Sequence, residues 1–241
     1  ARTTTSKSWA EAKVLTGDLS EETKTLKKQA GKDLMAHVGV EFIQNLSLNI
    51  GRWAGNYSFF YILNRILKDY KPENILEFGL GESSKFISTY LDNFLKNSKH
   101  VVVEQSNEWI INFKNNFTLS PNSEIIQCSL IEKKVNNYNV QMYENLIEKV
   151  SCDFDLFIID GPFGSDRFSR YDIVYLVEKF PKDKEFIILI DDSNRKGEDD
   201  TIQAILEVLN SKTIKYHIGV YKGNKQNTII ASNKYKFSTT F

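Results

Sequence analysis

Residues Ile75 to Ser84, ILEFGLGESS, run from an apolar stretch through Glu77 into Gly79 and Gly81 and then into a helix-compatible segment. Glycines at such a junction let the backbone turn sharply and approach a ligand closely, because they accept positive φ and carry no Cβ. A strand, a glycine loop and a helix start together form a binding corner for a nucleotide-type ligand. The glycines alone do not say which one, since Gly79-x-Gly81-x-x-Ser84 only approximates the dinucleotide fingerprint, with serine in the third glycine place. Two acids narrow the choice. Glu104 closes the next apolar run, Val101 to Val103, where a carboxylate can accept both ribose hydroxyl hydrogens of an adenosine; a solvated strand-end carboxylate is the plain alternative. Glu77 stands ahead of the glycines, where it can meet the amino group of an amino-acid moiety, directly or through water. NAD lacks such a group and S-adenosylmethionine (SAM) has one.

Further acids stand at two later strand ends. Asp160-Gly161-Pro162 follows one apolar run, with Gly164 shaping the loop beyond it, and Asp191-Asp192-Ser193-Asn194-Arg195 follows another. Ligands of open α/β sheets sit outside the carboxyl ends of the strands, so Asp160 is expected to share a crevice with Gly79 and Glu104. Three readings of Asp160, Asp191 and Asp192 stay open. They could hold a hard cation such as Mg²⁺, which would lower the pKa of a substrate hydroxyl; Asp160 could be a general base; or Asp191 and Asp192 could cap or pair with Arg195. Arg52 and Trp53, in the loop-like Leu48 to Gly55, are substrate candidates together with Arg195, and Tyr138 and Tyr143 could line the same pocket. His37, His100 and His217 show no ligand spacing, and Cys128 lies in an apolar strand without a histidine partner.

Positioning these groups requires alternating strands and helices. Apolar runs predict strands at Asn74–Phe78, His100–Glu104, Glu124–Cys128, Asp155–Asp160 and Glu185–Asp191, and amphipathic patterns predict helices at Ser83–Lys96, Glu108–Phe117, Gln141–Val150, Arg170–Lys179 and Asp199–Leu209. Asn56–Tyr70 is a further amphipathic helix, stopped by Pro72. Lys215–Tyr221 and Asn227–Ala231 are joined by Lys222-Gly223-Asn224-Lys225 with no helix between, which predicts a hairpin. The expected fold is α/β: a Rossmann-like seven-stranded sheet, parallel except for the C-terminal hairpin, with helices on both faces and an N-terminal extension.

Of 241 residues, 41% are hydrophobic and 12% aromatic, which suits one sizeable α/β core plus an extension. Lys+Arg and Asp+Glu balance at 31 each, so no global charge favours nucleic acid or an anionic membrane. Two cysteines without CxxC spacing indicate neither a disulfide framework nor structural zinc. With no membrane-length apolar run and no signal-type apolar region in ARTTTSKSWAEAK, a soluble cytoplasmic protein is expected.

In order along the chain, Glu77-Phe78-Gly79-Leu80-Gly81-Glu82-Ser83-Ser84, Ile159-Asp160-Gly161-Pro162-Phe163-Gly164 and Asp191-Asp192-Ser193-Asn194-Arg195 resemble the SAM-dependent class I methyltransferases, over Leu48 to about Lys236. The resemblance implies SAM contacts from Glu77, Gly79, Gly81, Ser83, Glu104 and Asp160, with Cys128-Ser129-Leu130 near the adenine. It implies methyl transfer to an oxygen, less favourably a nitrogen, of a small-molecule or saccharide acceptor. The chain is also similar, more loosely, to catechol O-methyltransferase, where acids at comparable strand ends hold Mg²⁺, although Asp replaces an Asn here. Trp9 to Leu46 resembles part of the dihydrofolate-reductase-like (RibD C-terminal) family, with Val38-Gly39 in place of its Gly-Gly pair. The expected organisation is therefore an extension over residues 1–47, a fusion remnant or helical cover, and a methyltransferase domain over 48–241. An NAD(P)H-dependent reductase and a non-catalytic methyltransferase-like binder are the competing functions; a homo-oligomer is compatible with either.

Overall fold

The computed structural model describes residues 48–49, 55–150, 153–223 and 225–241. The extension with its reductase resemblance lies outside these residues. Along the chain follow α1 (Tyr57–Tyr70), β1 (Asn74–Phe78), α2 (Glu82–Phe94), β2 (Lys99–Glu104), α3 (Asn107–Asn116), β3 (Ser123–Gln127), β4 (Leu130–Val135), β5 (Tyr138–Tyr143), α4 (Leu146–Lys149), β6 (Leu156–Ile159), α5 (Asp172–Glu178), β7 (Ile187–Ile190), α6 (Lys196–Ser211), β8 (Tyr216–Lys222), β9 (Gln226–Ser232) and a 3₁₀ segment, Asn233–Thr240.

Local chemistry accounts for the first of these elements. The Asn56 side chain caps α1 by accepting the Phe59 N–H at 2.9 Å, and Phe59, Ile62, Leu63, Ile66 and Leu67 form its buried face at helical spacing. Lys71 then takes up the left-handed conformation (φ 49°), and Pro72 cannot continue the helix. Strands β1, β6 and β7 are apolar almost throughout because neighbours flank both edges and helices cover both faces.

Seven strands make one sheet in the order β3-β2-β1-β6-β7-β9-β8. Pairing is parallel from β3 to β7, and β9 runs antiparallel between β7 and β8. The Rossmann-like sheet with a closing hairpin is thus as expected. Leu76, Phe78, Phe157, Ile159, Ile188 and Ile190 pack on α5 and α6. Val102, on the opposite face, packs on Ile110 and Phe113 of α3; α2 lies beside α3 through Lys85 over the Phe113 ring, and α1 beside α2 through the Phe60–Phe86 ring contact. Helices therefore cover both faces. Among the described residues no helix is long and apolar enough to cross a membrane.

One predicted helix is largely absent. Over Gln141–Val150, strand β5 continues to Tyr143 and only the single turn α4 is helical. Strands β4 and β5 form a separate antiparallel ribbon with Val135 opposite Tyr138. Asn136 (φ 47°) and Asn137 (φ 69°) turn between them with left-handed backbone at both positions, the requirement of a two-residue hairpin loop that asparagine meets. Buried Val140 and Met142 then alternate with Gln141, a period of two and not of a helix.

The chain reaches the outer strand β3, then returns to place β6 against the free edge of β1. This reversal opens a crevice at the carboxyl ends of β1 and β6, where the glycine loop and Asp160 both emerge.

Candidate active site

Gly79 adopts φ +94°, which a side-chain-bearing residue rarely takes. Its N–H donates to the Val103 carbonyl at 2.9 Å, tying the loop to β2. A Cβ on Gly79 would lie 3.2 Å from both Cα and N of Gly161, and a Cβ on Gly161 would lie 2.7 Å from Gly79 Cα. The loops after β1 and β6 therefore touch backbone to backbone. The two strand ends are also linked by the Asp160 N–H donating to the Phe78 carbonyl at 3.2 Å. Gly81 faces open space, with nothing within 4 Å of where a Cβ would stand. Ser83 is buried in the first turn of α2, but Ser84 is the serine that fixes the loop, its Oγ accepting the Gly81 N–H at 3.0 Å.

Glu104 is buried and holds two elements together. Its Oε2 accepts the Leu80 N–H at 3.0 Å and its Oε1 the Ser106 N–H at 2.8 Å. Each carboxylate oxygen has a second lone-pair direction, so the group is oriented and keeps acceptor capacity. Ser129 is exposed just beyond buried Cys128, whose N–H donates to the Glu104 carbonyl at 2.9 Å. Burial raises the Cys128 thiol pKa, which keeps it an inert packing group.

Glu77 lies elsewhere than the ligand reading of its sequence position suggests. Its side chain is fully enclosed, with Oε2 3.0 Å from His100 Nε2 and Oε1 without a hydrogen bond. His100 Nδ1 stands 3.2 Å from Ser123 Oγ, so a polar chain crosses β1, β2 and β3 inside the sheet. The histidine is a structural partner of the motif carboxylate.

Asp160, Asp191 and Asp192 do converge, with carboxylate oxygens within 4.8 Å of one another. Cations from three other places interleave with them. Arg170 donates to the carbonyls of Ile159 at 3.2 Å and Asp191 at 3.1 Å, and its guanidinium lies 3.5 Å from Asp160 Oδ1 and 3.6 Å from Glu198 Oε1. Lys225 Nζ is 3.4 Å from Asp191 Oδ2 and 3.4 Å from Asp192 Oδ1, while Arg195 meets Asp192 Oδ2 at 3.0 Å. The spacing and the bare Asp191 Oδ1 would suit a hard cation. Three positive groups already in contact with the same carboxylates would repel it. With Lys225 in place this donor set does not fit Mg²⁺.

The three carboxylates are unequal. The Asp160 side chain keeps 17% of its surface exposed, Asp192 7% and Asp191 none. Burial pushes Asp160 up to about 7, with Arg170 pulling against it and Asp191 adding to the rise. Asp191 is raised by burial and then by the Asp192 charge. A carboxylate at a crevice mouth with a pKa near neutrality can hold or release a proton there.

Of the substrate candidates, Arg195 is half-exposed beside Asp192, whereas Arg52 and Trp53 lie outside the described residues. Tyr143 is buried, its N–H held by Asp172 Oδ1 at 3.0 Å; Tyr138 is exposed on the ribbon and its ring lies under Arg167, 4.6 Å from the guanidinium carbon. Sequence reasoning missed Arg170, Lys225 and Trp109. The Trp109 indole N–H donates to the Leu80 carbonyl at 2.6 Å. A hint for the cations was available, since three acids converging at strand ends require positive partners.

No protein-family model matches the chain, and no curated protein matches it. Solved structures do. An O-methyltransferase from Bacillus cereus in complex with SAH shares 15% identity over 88% of this chain and 97% of that one, with a TM-score of 0.50. The SAH-bound methyltransferase PaMTH1 of Podospora anserina shares 14% identity over 92% and 99%, with a TM-score of 0.47. The chain has the Rossmann-like methyltransferase fold. At 15% identity the likeness to the Bacillus cereus structure is one of fold.

Proposed function

We propose that the chain is a SAM-dependent methyltransferase acting on an oxygen, less favourably a nitrogen, of a small-molecule or saccharide acceptor. The observation that carries this reading is the approach of Gly79 to Gly161, which sets the glycine loop and Asp160 at one crevice. Glu104, fixed by the N–H groups of Leu80 and Ser106, supports a ribose site beside it. The antiparallel strand between β7 and β8 supports a methyltransferase over a plain dinucleotide-binding sheet.

SAM, when bound, supplies an electrophilic sulfonium methyl group. The chain's own contribution is then positioning and proton transfer. Gly79 lets the loop close on Gly161, Gly81 leaves its backbone bare toward open space, and Glu104 accepts the ribose hydroxyl hydrogens. Asp160 takes the acceptor's proton as its heteroatom becomes the nucleophile, and Arg170 steadies the carboxylate in the ionised form. Holding the two reactants in one geometry supplies much of the acceleration in such a transfer. No step requires a metal.

Titration calorimetry with SAM and SAH tests the reading. Binding to the wild type is expected, with Glu104→Ala and Gly79→Val each weakening it sharply; a folded wild type that binds neither ligand would sink it. SAM binding without transfer across a broad panel of hydroxyl and amine acceptors would favour a non-catalytic binder.

A further inference from the structure

Leu80 lies between the two loop glycines, and both polar groups of this residue are held from outside the loop. Its N–H donates to Glu104 Oε2 at 3.0 Å and its carbonyl accepts from Trp109 Nε1 at 2.6 Å. The hydrogen bonds close into a ring: Glu104 Oε1 accepts the Ser106 N–H at 2.8 Å, and Ser106 Oγ accepts the Trp109 N–H at 3.1 Å as the cap of α3. The ring thus joins the glycine loop, the end of β2 and the first turn of α3. Leu80 and Glu104 are buried, whereas Trp109 keeps 45% of its surface exposed. Core packing alone does not explain a large indole so exposed, because an apolar side chain gains little where it stays in water.

We propose that Trp109 is a positioning residue for the cofactor loop: its indole N–H fixes the Leu80 carbonyl and so presets the Gly79–Gly81 backbone and the Glu104 carboxylate for an adenosine-bearing ligand. The proposal rests on the SAM reading above. A loop with glycine on both sides of one residue has much backbone freedom to lose, and any of it not removed in the free protein opposes binding. Clamping Leu80 from two elements removes that freedom beforehand, which raises affinity without a contact to the ligand.

The test compares wild type, Trp109→Phe and Asn56→Ala as full chains. Asn56→Ala is the control for general destabilisation, since it removes the cap of α1. In Trp109→Phe, SAH affinity by calorimetry is expected to fall about tenfold, the factor of one lost hydrogen bond. Amide hydrogen exchange over Gly79–Ser84 is expected to quicken in the free protein and to slow again with SAH, and Asn56→Ala should change neither quantity by more than about twofold. Trp109→Leu repeats the test should the phenylalanine variant fail to fold by circular dichroism. Unchanged affinity and loop exchange in the variant, or an equal loss in Asn56→Ala, overturns the proposal. Absence of SAH binding by the wild type overturns the SAM reading and the cofactor role with it; free-protein exchange still reports separately whether Trp109 holds the loop.

Discussion

Gly161→Ala tests the backbone contact on which the site depends. The new Cβ would lie 2.7 Å from Gly79 Cα, 2.8 Å from Gly79 N and 3.0 Å from Phe78 C. Carbon atoms in contact settle at about 3.5 Å, so the loops must part by about 0.8 Å. Every atom in the way is backbone, and no rotamer change can relieve the clash. Overpacking of this kind costs about 1–3 kcal/mol, and the displacement falls on both the glycine loop and Asp160. We expect urea unfolding to show a stability loss in that range and calorimetry to show SAH binding at least about tenfold weaker. Gly81→Ala is the complement, because its Cβ meets nothing within 4 Å and its φ of −168° is extended backbone. Stability should stay within about 0.5 kcal/mol of wild type, yet SAH binding should fall, since that methyl projects where the ligand is read to lie. Gly161→Ala with wild-type stability and affinity would refute the close approach. Gly81→Ala binding SAH normally would remove the ligand from this loop.

The raised pKa of Asp160, about 7, carries a signed consequence. The folded protein holds this proton through the interval in which an unfolded carboxylate, with a pKa of about 4, has lost it; stability contributed by Asp160 is therefore highest below about pH 4, declines as pH climbs towards 7 and levels off above. Asp172, also pushed up to about 7 by burial, and Asp191 act in the same direction. Asp160→Asn should accordingly flatten part of the decline in urea midpoints measured from pH 5 to 8; an unchanged slope would contradict the assignment. For the metal, thermal unfolding of the wild type should be indifferent to EDTA and to millimolar Mg²⁺ or Mn²⁺. Lys225→Met, which removes the ammonium between Asp191 and Asp192, should bring a rise in melting temperature with Mn²⁺. Stabilisation of the wild type by either ion would show that Lys225 yields its place.

Period and punctuation made most of the scaffold legible. The ends of β1 agree with those read from NILEF, and the lack of a helix between the last two apolar runs gave the hairpin that becomes β8 and β9. The β4–β5 ribbon was missed because LIEKKV is largely solvent-facing and its turn is Asn-Asn, weaker punctuation than Asn-Gly. In the site, strand-end position was enough to bring Asp160, Asp191 and Asp192 together, since every parallel strand delivers its carboxyl end to the same edge. Their partners were not readable in that way. Lys225 comes from the β8–β9 turn and Arg170 from a loop position with φ 59°, and only the folded register brings either charge to the carboxylates. Glu77 shows the same gap. Local spacing put it beside the glycines, but strand pairing turns it toward His100.

The cations also explain why three similar carboxylates have unequal chemical prospects. Asp191 and Asp192 are held by Lys225 and Arg195 and are almost without exposed surface, so neither is well placed to exchange a proton with a ligand in the crevice. Asp160 has the longer contact, 3.5 Å to Arg170, and the largest remaining exposure. Arg170 is itself committed to the Ile159 and Asp191 carbonyls, which limits how far it can move to neutralise Asp160. An acid in that position feels burial more than it feels its cation, and Asp191 adds a smaller push the same way, which is the direction of its shift. The same ion pairs that disfavour a metal thus leave one carboxylate at the crevice with the properties of a base.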